Sequence, residues 1–399
     1  MSTTTPARQA LLRERNLATV ARSVVDADEP LSRADVAALT GMTRATVSTL
    51  VDYLLAAGVV AELPRATPVG RGRPAVPLVP AARSIVGLGL EVNVDYLGGR
   101  VMDLTGSIVA ELVVREDLHG SEPAATLGRL GRLARHLIDQ VEKPGMRVAG
   151  ARLALPGLVD VRMSTLRVAP NLEWSDIEPL PMMGLPGNLP VGVANEAKLA
   201  ALAQVWGVPA GVRSSRTFLY VSGDVGVGAA IVVDDEIFHG RHGWSGEIGH
   251  LTIDPAGPRC RCGSTGCLER YAGKEALVSA IGLDVDALDE MIVDRLSSSD
   301  EAAQAAVHTA GTALGQAIAD AVNLLDIDQV LLGGSYAGIA HLLAPAIQKE
   351  VADRVLGAPW APVVVNAAPV ADYAALTGGA LAVVRGVVDN PARLIEQRR

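Results

Sequence analysis

The chain has 399 residues, is 49% hydrophobic and carries 35 basic against 44 acidic side chains, a formal charge of −9. That apolar content excludes a disordered polyelectrolyte, and three cysteines are too few for a disulfide-built fold. The opening "MSTTTPARQALLRERN" lacks the apolar core of a signal peptide, and no uninterrupted apolar run of about 18 residues follows, so a soluble, cytoplasmic chain with reduced thiols and no membrane partner is expected.

The charge is uneven. Residues 1–83 hold ten Arg against seven Asp or Glu, a balance of +3, which leaves −12 for the remainder. A small basic head on an acidic body points to an anionic partner for the head alone. The length suggests two or three domains.

The first 60 residues read as helices. Leu11, Leu12, Val20 and Val24 keep a helical pattern that ends near Asp26. "LSRADVAALTG" then opens with Ser32 and, three residues on, Asp35, the pattern of a capping box, and Gly41 breaks the short helix. In "TRATVSTLVDYLLAAG", capped by Thr43, the apolar residues Val47, Leu50, Val51, Leu54 and Leu55 share one face. Two short helices around a glycine turn form a helix-turn-helix pattern. Thr43, Arg44, Thr46, Ser48 and Thr49 lie near the start of the second helix, short hydrogen-bonding groups plus one cation that suit phosphates and base edges in a major groove. "VVAEL" and "PLVP" can pair as a wing, with Arg71 and Arg73 of "GRGRP" at its tip, able to enter a narrow minor groove. A helical dimerisation module with a solvated polar face would share the helical part of the pattern; the wing, the arginine arm and the positive balance favour DNA.

From Ile85 short strands take over: "IVGLGLEV", "YLGGRVMDL" and "SIVAELVVRE". A helix follows over about 122–142, then strand-like "VAGARLALPG" and "LPVGVANE", and a helix at "AKLAALAQVW". A second round begins with the hairpin-like "TFLYVSGDVGVGAAIVVDDEIFHG", continues with Ala-rich helices over 275–326 and returns to a buried strand, "DQVLLGG". Strands then helices, twice, describe an α/β protein of two similar lobes.

All three cysteines fall in "CRCGSTGC". Cys260, Cys262 and Cys267 supply three soft ligands, and His250, in "GEIGH", is the nearest candidate for the fourth of a closed Cys₃His site, for which Zn²⁺ is the favoured ion in a structural role. Gly263 and Gly266 would let the chain curl round it. Free buried cysteines clustered by chance are the alternative.

"GEIGHLTIDPAGPRCRCGSTGCLERYAG" closely resembles the signature of the ROK family of repressors, open reading frames and kinases, which joins Glu-x-Gly-His to Cys-x-Cys-Gly-x-x-Gly-Cys-x-Glu. "GVGAAIVVDDEIFHGRHGWSGEIGH" is similar to the family's glycine hairpin, "APNLEW" to its sugar-contact loop and "VANEA" to its catalytic loop. The resemblance implies two actin-like (ribonuclease H-like) lobes of the ATPase type behind a winged helix, a sugar effector between them, and a homodimer or tetramer. On that basis residues 1–80 form the DNA-binding domain, 81–195 the first lobe, completed by a helix at about 372–390, and 196–371 the second lobe with the zinc site. It further implies that Asn171, Asn195, Glu196, Glu247, His250 and Glu269 contact the sugar. Asn195 and Glu196 have a simpler role open to them, capping the next helix, and Asn171 and Glu269 have one in a turn and behind the zinc loop.

The kinases of this family need an Asp-Gly-Gly-Thr-type phosphate loop and an Asp base. Aligned on Gly87, this chain has Gly89 at the Asp position and Glu91 and Val92 for the glycines, while Glu196 takes the base position. A carboxylate there repels the phosphates it should cradle. The expectation is a non-catalytic, sugar-responsive repressor, similar to the xylose-type regulators, that grips a palindromic double-stranded operator. An active sugar kinase, or a regulator answering to a sugar phosphate or a protein, is the alternative.

Overall fold

The computed structural model describes residues 4–64, 76–208, 215–284, 287 and 289–396. The head contains α1 (Thr4–Val25), β1 (Leu31–Ser32), α2 (Arg33–Thr40), α3 (Arg44–Ala57), β2 (Val60–Glu62) and β3 (Pro77–Pro80). Both halves of the capping box form, Ser32 Oγ accepting from Asp35 N and Asp35 Oδ2 from Ser32 N. Gly41 follows at φ +68°, a conformation that favours a residue without Cβ. Val47, Leu50, Val51 and Leu54 are buried as the periodicity predicts. β2 and β3 pair antiparallel, Ala61 opposite Val79, and β1 extends the sheet on the other side of β3, so the wing exists as read from the sequence. Arg71 and Arg73 lie outside the described residues.

The first lobe follows with β4 (Ile85–Val92), β5 (Tyr96–Asp103), β6 (Ile108–Arg115), α4 (Pro123–Glu142), β7 (Arg147–Leu155), β8 (Leu158–Asp160), β9 (Thr165–Ala169), β10 (Trp174–Ile177), α5 (Pro179–Met183) and β11 (Val191–Asn195). Its main sheet runs β11-β7-β4-β5-β6, parallel among the first three strands and antiparallel among the last three; β8, β9 and β10 form a small separate sheet. α6 (Glu196–Trp206) leads to β12 (Phe218–Gly223), β13 (Val227–Val233) and β14 (Glu236–Ile237). α7 (Glu269–Ala272), α8 (Lys274–Ala280), α9 (Asp289–Leu296), α10 (Glu301–Leu325), β15 (Gln329–Gly334), α11 (Ser335–Arg354) and β16 (Val364–Ala367) complete the second lobe. This sheet runs β14-β13-β12-β15-β16 with the same sequence of antiparallel and parallel pairings, counted from its own first strand. One topology is therefore used twice, which is the duplicated architecture that the actin-like expectation requires.

The lobes exchange helices. α6 leaves the last strand of the first sheet, yet its buried residues share a core with Phe218 and Tyr220 of the second. α12 (Ala374–Asp389), before the terminal α13 (Ala392–Glu396), leaves the last strand of the second sheet and packs on β4, β5 and β7 of the first. The two helices cross each other at Gly378, where a Cβ would stand 1.7 Å from the Leu199 carbonyl oxygen. The far half of α12 enters the head: Val384, Val387 and Val388 share one core with Leu17, Val20 and Val24 of α1 and with Val47 and Leu54 of α3. Arg22 pairs with Asp389 at 2.6 Å, and the Arg385 guanidinium grips both oxygens of Asp26. The head is thus continuous with the first lobe.

Candidate functional site

After β14 the chain forms a short 3-10 turn, Ile248–His250, and then a loop pinned by bridges between Thr252 and Cys267 and between Arg259 and Thr265. One ligand atom from each of His250, Cys260, Cys262 and Cys267 lies within 4.8 Å of the others. Cys262 Sγ and Cys267 Sγ are 3.7 Å apart. Two thiolates at 2.3 Å from a tetrahedral ion would stand about 3.8 Å apart. His250 Nδ1 is buried without a hydrogen-bond partner, as expected of a nitrogen shaped to meet something other than protein. Gly263 (φ +94°) and Gly266 (φ +70°) supply the curl read from the sequence. Burial and the neighbouring thiols push Cys267 up to about 12, a state that a cation in the cluster would reverse. The four residues fit a metal ion.

Around this centre the predicted effector residues mostly converge. Glu247 stands at the start of the 3-10 turn and Glu269 at the start of α7. Glu269 Oε2 accepts from Val227 N at 3.3 Å and faces Gly226, where Asn171, from the turn after β9, also arrives; a Cβ there would lie 2.4 Å from the carboxylate and 3.0 Å from Asn171 Nδ2. Glu196, the first residue of α6, accepts from Asn93 Nδ2 at 3.4 Å. Burial raises Glu247 above the usual carboxylate range, opposed by His250 and Lys198. Burial also holds Glu196 well above that range, reinforced by the nearby carboxylates of Glu91 and Asp224. Asn195 is different: its Oδ1 caps α6 through Lys198 N at 3.3 Å and its Nδ2 donates to the Gly157 carbonyl at 3.0 Å, so the capping alternative describes it.

Two charged residues that sequence reasoning missed, Lys198 and Asp224, lie beside the group, with Glu91, read there only as unfit for a phosphate loop. Lys198 is buried on α6, its ammonium donating to the Gly243 carbonyl and lying near Glu247; a lone lysine in an Ala/Leu helix was the available signal. Glu91 and Asp224 face a cavity of about 1270 Å³ between the lobes, which only Glu196 of the effector candidates reaches. Gly89, read from the sequence as standing at the family's Asp position, lies in the middle of β4 against α12, where a Cβ would fall 1.9 Å from the Leu376 carbonyl oxygen. Val92 still belongs to the strand, and the turn is Asn93–Asp95, closed by Asp95 N donating to Asn93 Oδ1.

In the head, Thr43 Oγ1 accepts from Thr46 N as the N-cap of α3 and lies 2.9 Å from Thr46 Oγ1, while Thr49 Oγ1 donates to the Ala45 carbonyl. Thr43, Arg44, Thr46 and Thr49 are exposed and Ser48 half-buried. Together they leave one outward face at the helix N-terminus.

The ROK family model matches residues 88–386, three quarters of the chain and both lobes. The chain belongs to the ROK family. Among its relatives, the "Xylose repressor" of Bacillus subtilis is 30% identical over 82% of this ROK chain and 84% of its own length. The "DNA-binding transcriptional repressor Mlc" of Escherichia coli is 26% identical over 96% of each, an extent that takes in the winged head. A solved ROK family transcriptional regulator, described as a homologue of the E. coli MLC protein, superposes with a TM-score of 0.79 at 24% identity, over 96% of this chain and 99% of that one, and shows the same fold. Among the described residues of this ROK protein no helix is long and apolar enough to cross a membrane.

Proposed function

We propose that this ROK protein is a sugar-responsive transcriptional repressor. Its winged head grips a palindromic operator as a homodimer, and a sugar between the lobes alters that grip. The observation that carries the reading is mechanical. The head shares its core with α12, α12 crosses α6 in backbone contact, and α6 begins at Glu196 among the pocket carboxylates. A ligand that changes the angle between the lobes displaces the head relative to the second lobe. Relatives named as repressors, one for xylose and one DNA-binding, support the same conclusion.

In the pocket, Glu247, Glu269 and Glu196 accept from sugar hydroxyls, and Asn171 both donates and accepts. Zn²⁺, the ion suited to three thiolates and an imidazole, would be held by His250, Cys260, Cys262 and Cys267 and would fix the imidazole tautomer. The other ring nitrogen of His250 is then left as a directed hydrogen-bonding group for the sugar. Asn195 aims the start of α6 from beneath. On DNA, Arg44 with the hydroxyls of Thr43, Thr46, Ser48 and Thr49 meets the major groove.

Phosphotransfer is not part of this reading. The turn after β4, Asn93–Asp95, has no glycine to let backbone amides approach a phosphate, and the Glu91 carboxylate lines the interlobe cavity, which disfavours a polyphosphate. The test is a gel shift on operator DNA with a panel of sugars. Wild type should release or tighten on one sugar, whereas Glu247→Gln should bind operator normally and ignore it. Sugar-dependent ATP consumption by the wild type would refute the non-catalytic part of the proposal.

A further inference from the structure

The cavity between the lobes has a chemistry that neither a nucleotide nor a neutral sugar explains. Its described lining carries ten carboxylates against three Lys or Arg. Lys274 faces Asp95 at 2.7 Å and Arg261 faces Glu275 at 3.6 Å. At the inner end Glu91, Glu196 and Asp224 influence one another. Glu91 is 2% exposed; Tyr96 bonds to its carboxyl group, but Oε2 has no partner. Tyr220, fully buried in the same wall, has Ser222 beside its hydroxyl. A buried carboxylate oxygen left as Glu91 Oε2 is marks a missing partner.

The choice of partner follows from charge and spacing. Polyphosphate is repelled. A metal needs its ligand oxygens convergent, and among the described residues only the Cys/His cluster converges so tightly. An alkylammonium carries three N–H donors on a movable chain and can span carboxylates that stand further apart. Tyr96, Tyr220 and Tyr373 add aromatic rings to the wall, which favour an organic cation.

We propose that the interlobe cavity binds an aliphatic di- or triamine, with Glu91 and Asp224 as its main counter-ions and Glu196 linking it to the effector pocket. The site does not depend on the sugar reading, since only Glu196 belongs to both. Burial holds Glu91 up at about 8, so a bound ammonium takes the place of its proton and affinity rises with pH up to that point.

Titration calorimetry of the zinc-loaded full-length protein tests this with putrescine and spermidine as probes, against 1,4-butanediol, Mg²⁺ and Mg·ATP. Binding of an amine alone, released protons and roughly ten- to hundredfold weaker binding in both Glu91→Gln and Asp224→Asn is the expected result. Using two variants guards against one failing to fold, which thermal melts report. No amine binding at millimolar concentration, unchanged affinity in a folded variant, or Mg²⁺ or Mg·ATP binding that the amines cannot displace overturns the proposal. Operator binding without sugar, read separately by gel shift, stays intact in Glu91→Gln either way, since the head lies outside the cavity.

Discussion

Gly378→Ala isolates the crossing of α12 and α6. A single added methyl group would stand 1.7 Å from Leu199 O, 2.6 Å from Leu199 C and 3.0 Å from Ala203 N. Comfortable non-bonded separation is roughly 3.5 Å. All three neighbours are backbone atoms of α6, so no rotamer change relieves the overlap and the helices must part by well over an ångström. Overpacking a close contact typically costs 1–3 kcal/mol, and a rigid backbone on both sides places this case at about 3 kcal/mol. For a lobe of this size that lowers Tm by about 6–12 °C. The same helix provides the control. Gly386 is exposed with nothing within 4 Å of its Cβ position, so Gly386→Ala should gain about 0.5–1 kcal/mol from helix propensity and melt slightly higher. Calorimetric melts of both variants decide the matter. A Gly378→Ala protein melting at or above wild type, or two variants shifting alike, would show that the crossing is not the close contact argued here.

Removing the metal should silence the sensor and spare the head. Cys262→Ser, or dialysis against a chelator, is expected to lose bound zinc by elemental analysis together with the sugar response, while operator affinity changes less than about twofold; retained sensing in metal-free protein would separate the two. Arg44→Ala should weaken binding to operator and random duplex alike if the guanidinium meets phosphate, lowering the salt slope by about one, but should relax sequence preference if it meets a base. Glu91 gives stability a pH dependence of unusual sign. Its pKa is about 8 in the fold against 4.5 for a free Glu, so from 4.5 to 8 the folded state holds the extra proton and stability falls as pH rises. Glu91→Gln should therefore match wild type near pH 5 in urea unfolding and exceed it at pH 8 by a few kcal/mol, on the order of the shift itself; Glu196, also raised, leaves part of the slope in place.

What the sequence disclosed depended on how local each feature was. The capping box, the apolar stripe of α3 and the thiol cluster sit within a dozen or so residues, and each carries its geometry in its spacing. The wing was legible because its two strands lie close together in the sequence. Asp224 and Lys198 were not, because their neighbours come from other elements: Asp224 meets Glu91 of β4 and Glu196 of α6 at the cavity, and Lys198 meets Glu247 beyond β14. Gly89 has a role that its sequence does not show: the missing side chain lets α12 approach β4, a packing partner from the far end of the chain. Asn195 shows the converse: a residue in a binding motif can be consumed by the helix it begins.

How a sugar reaches the operator follows from which parts can move independently. One half of α12 is wedged between β4 and α6; the other half is buried in the head with α1 and α3 and tied by Arg385 to Asp26. Bending α12 between these halves would break its backbone hydrogen bonds, whereas rotating α6 against it breaks none. The head therefore travels with the first lobe, and lobe closure appears as a displacement of head plus first lobe against the second. In a homodimer joined through second lobes, that displacement changes the spacing of the two heads on a palindrome; joined through first lobes, it does not. A sugar can drive it only by binding the closed arrangement better than the open one, and by linkage the operator must then alter sugar affinity by the same factor. Measuring sugar affinity with and without operator DNA thus tests the coupling without knowing which way the heads move: equal affinities would mean that lobe closure does not reach the heads on DNA.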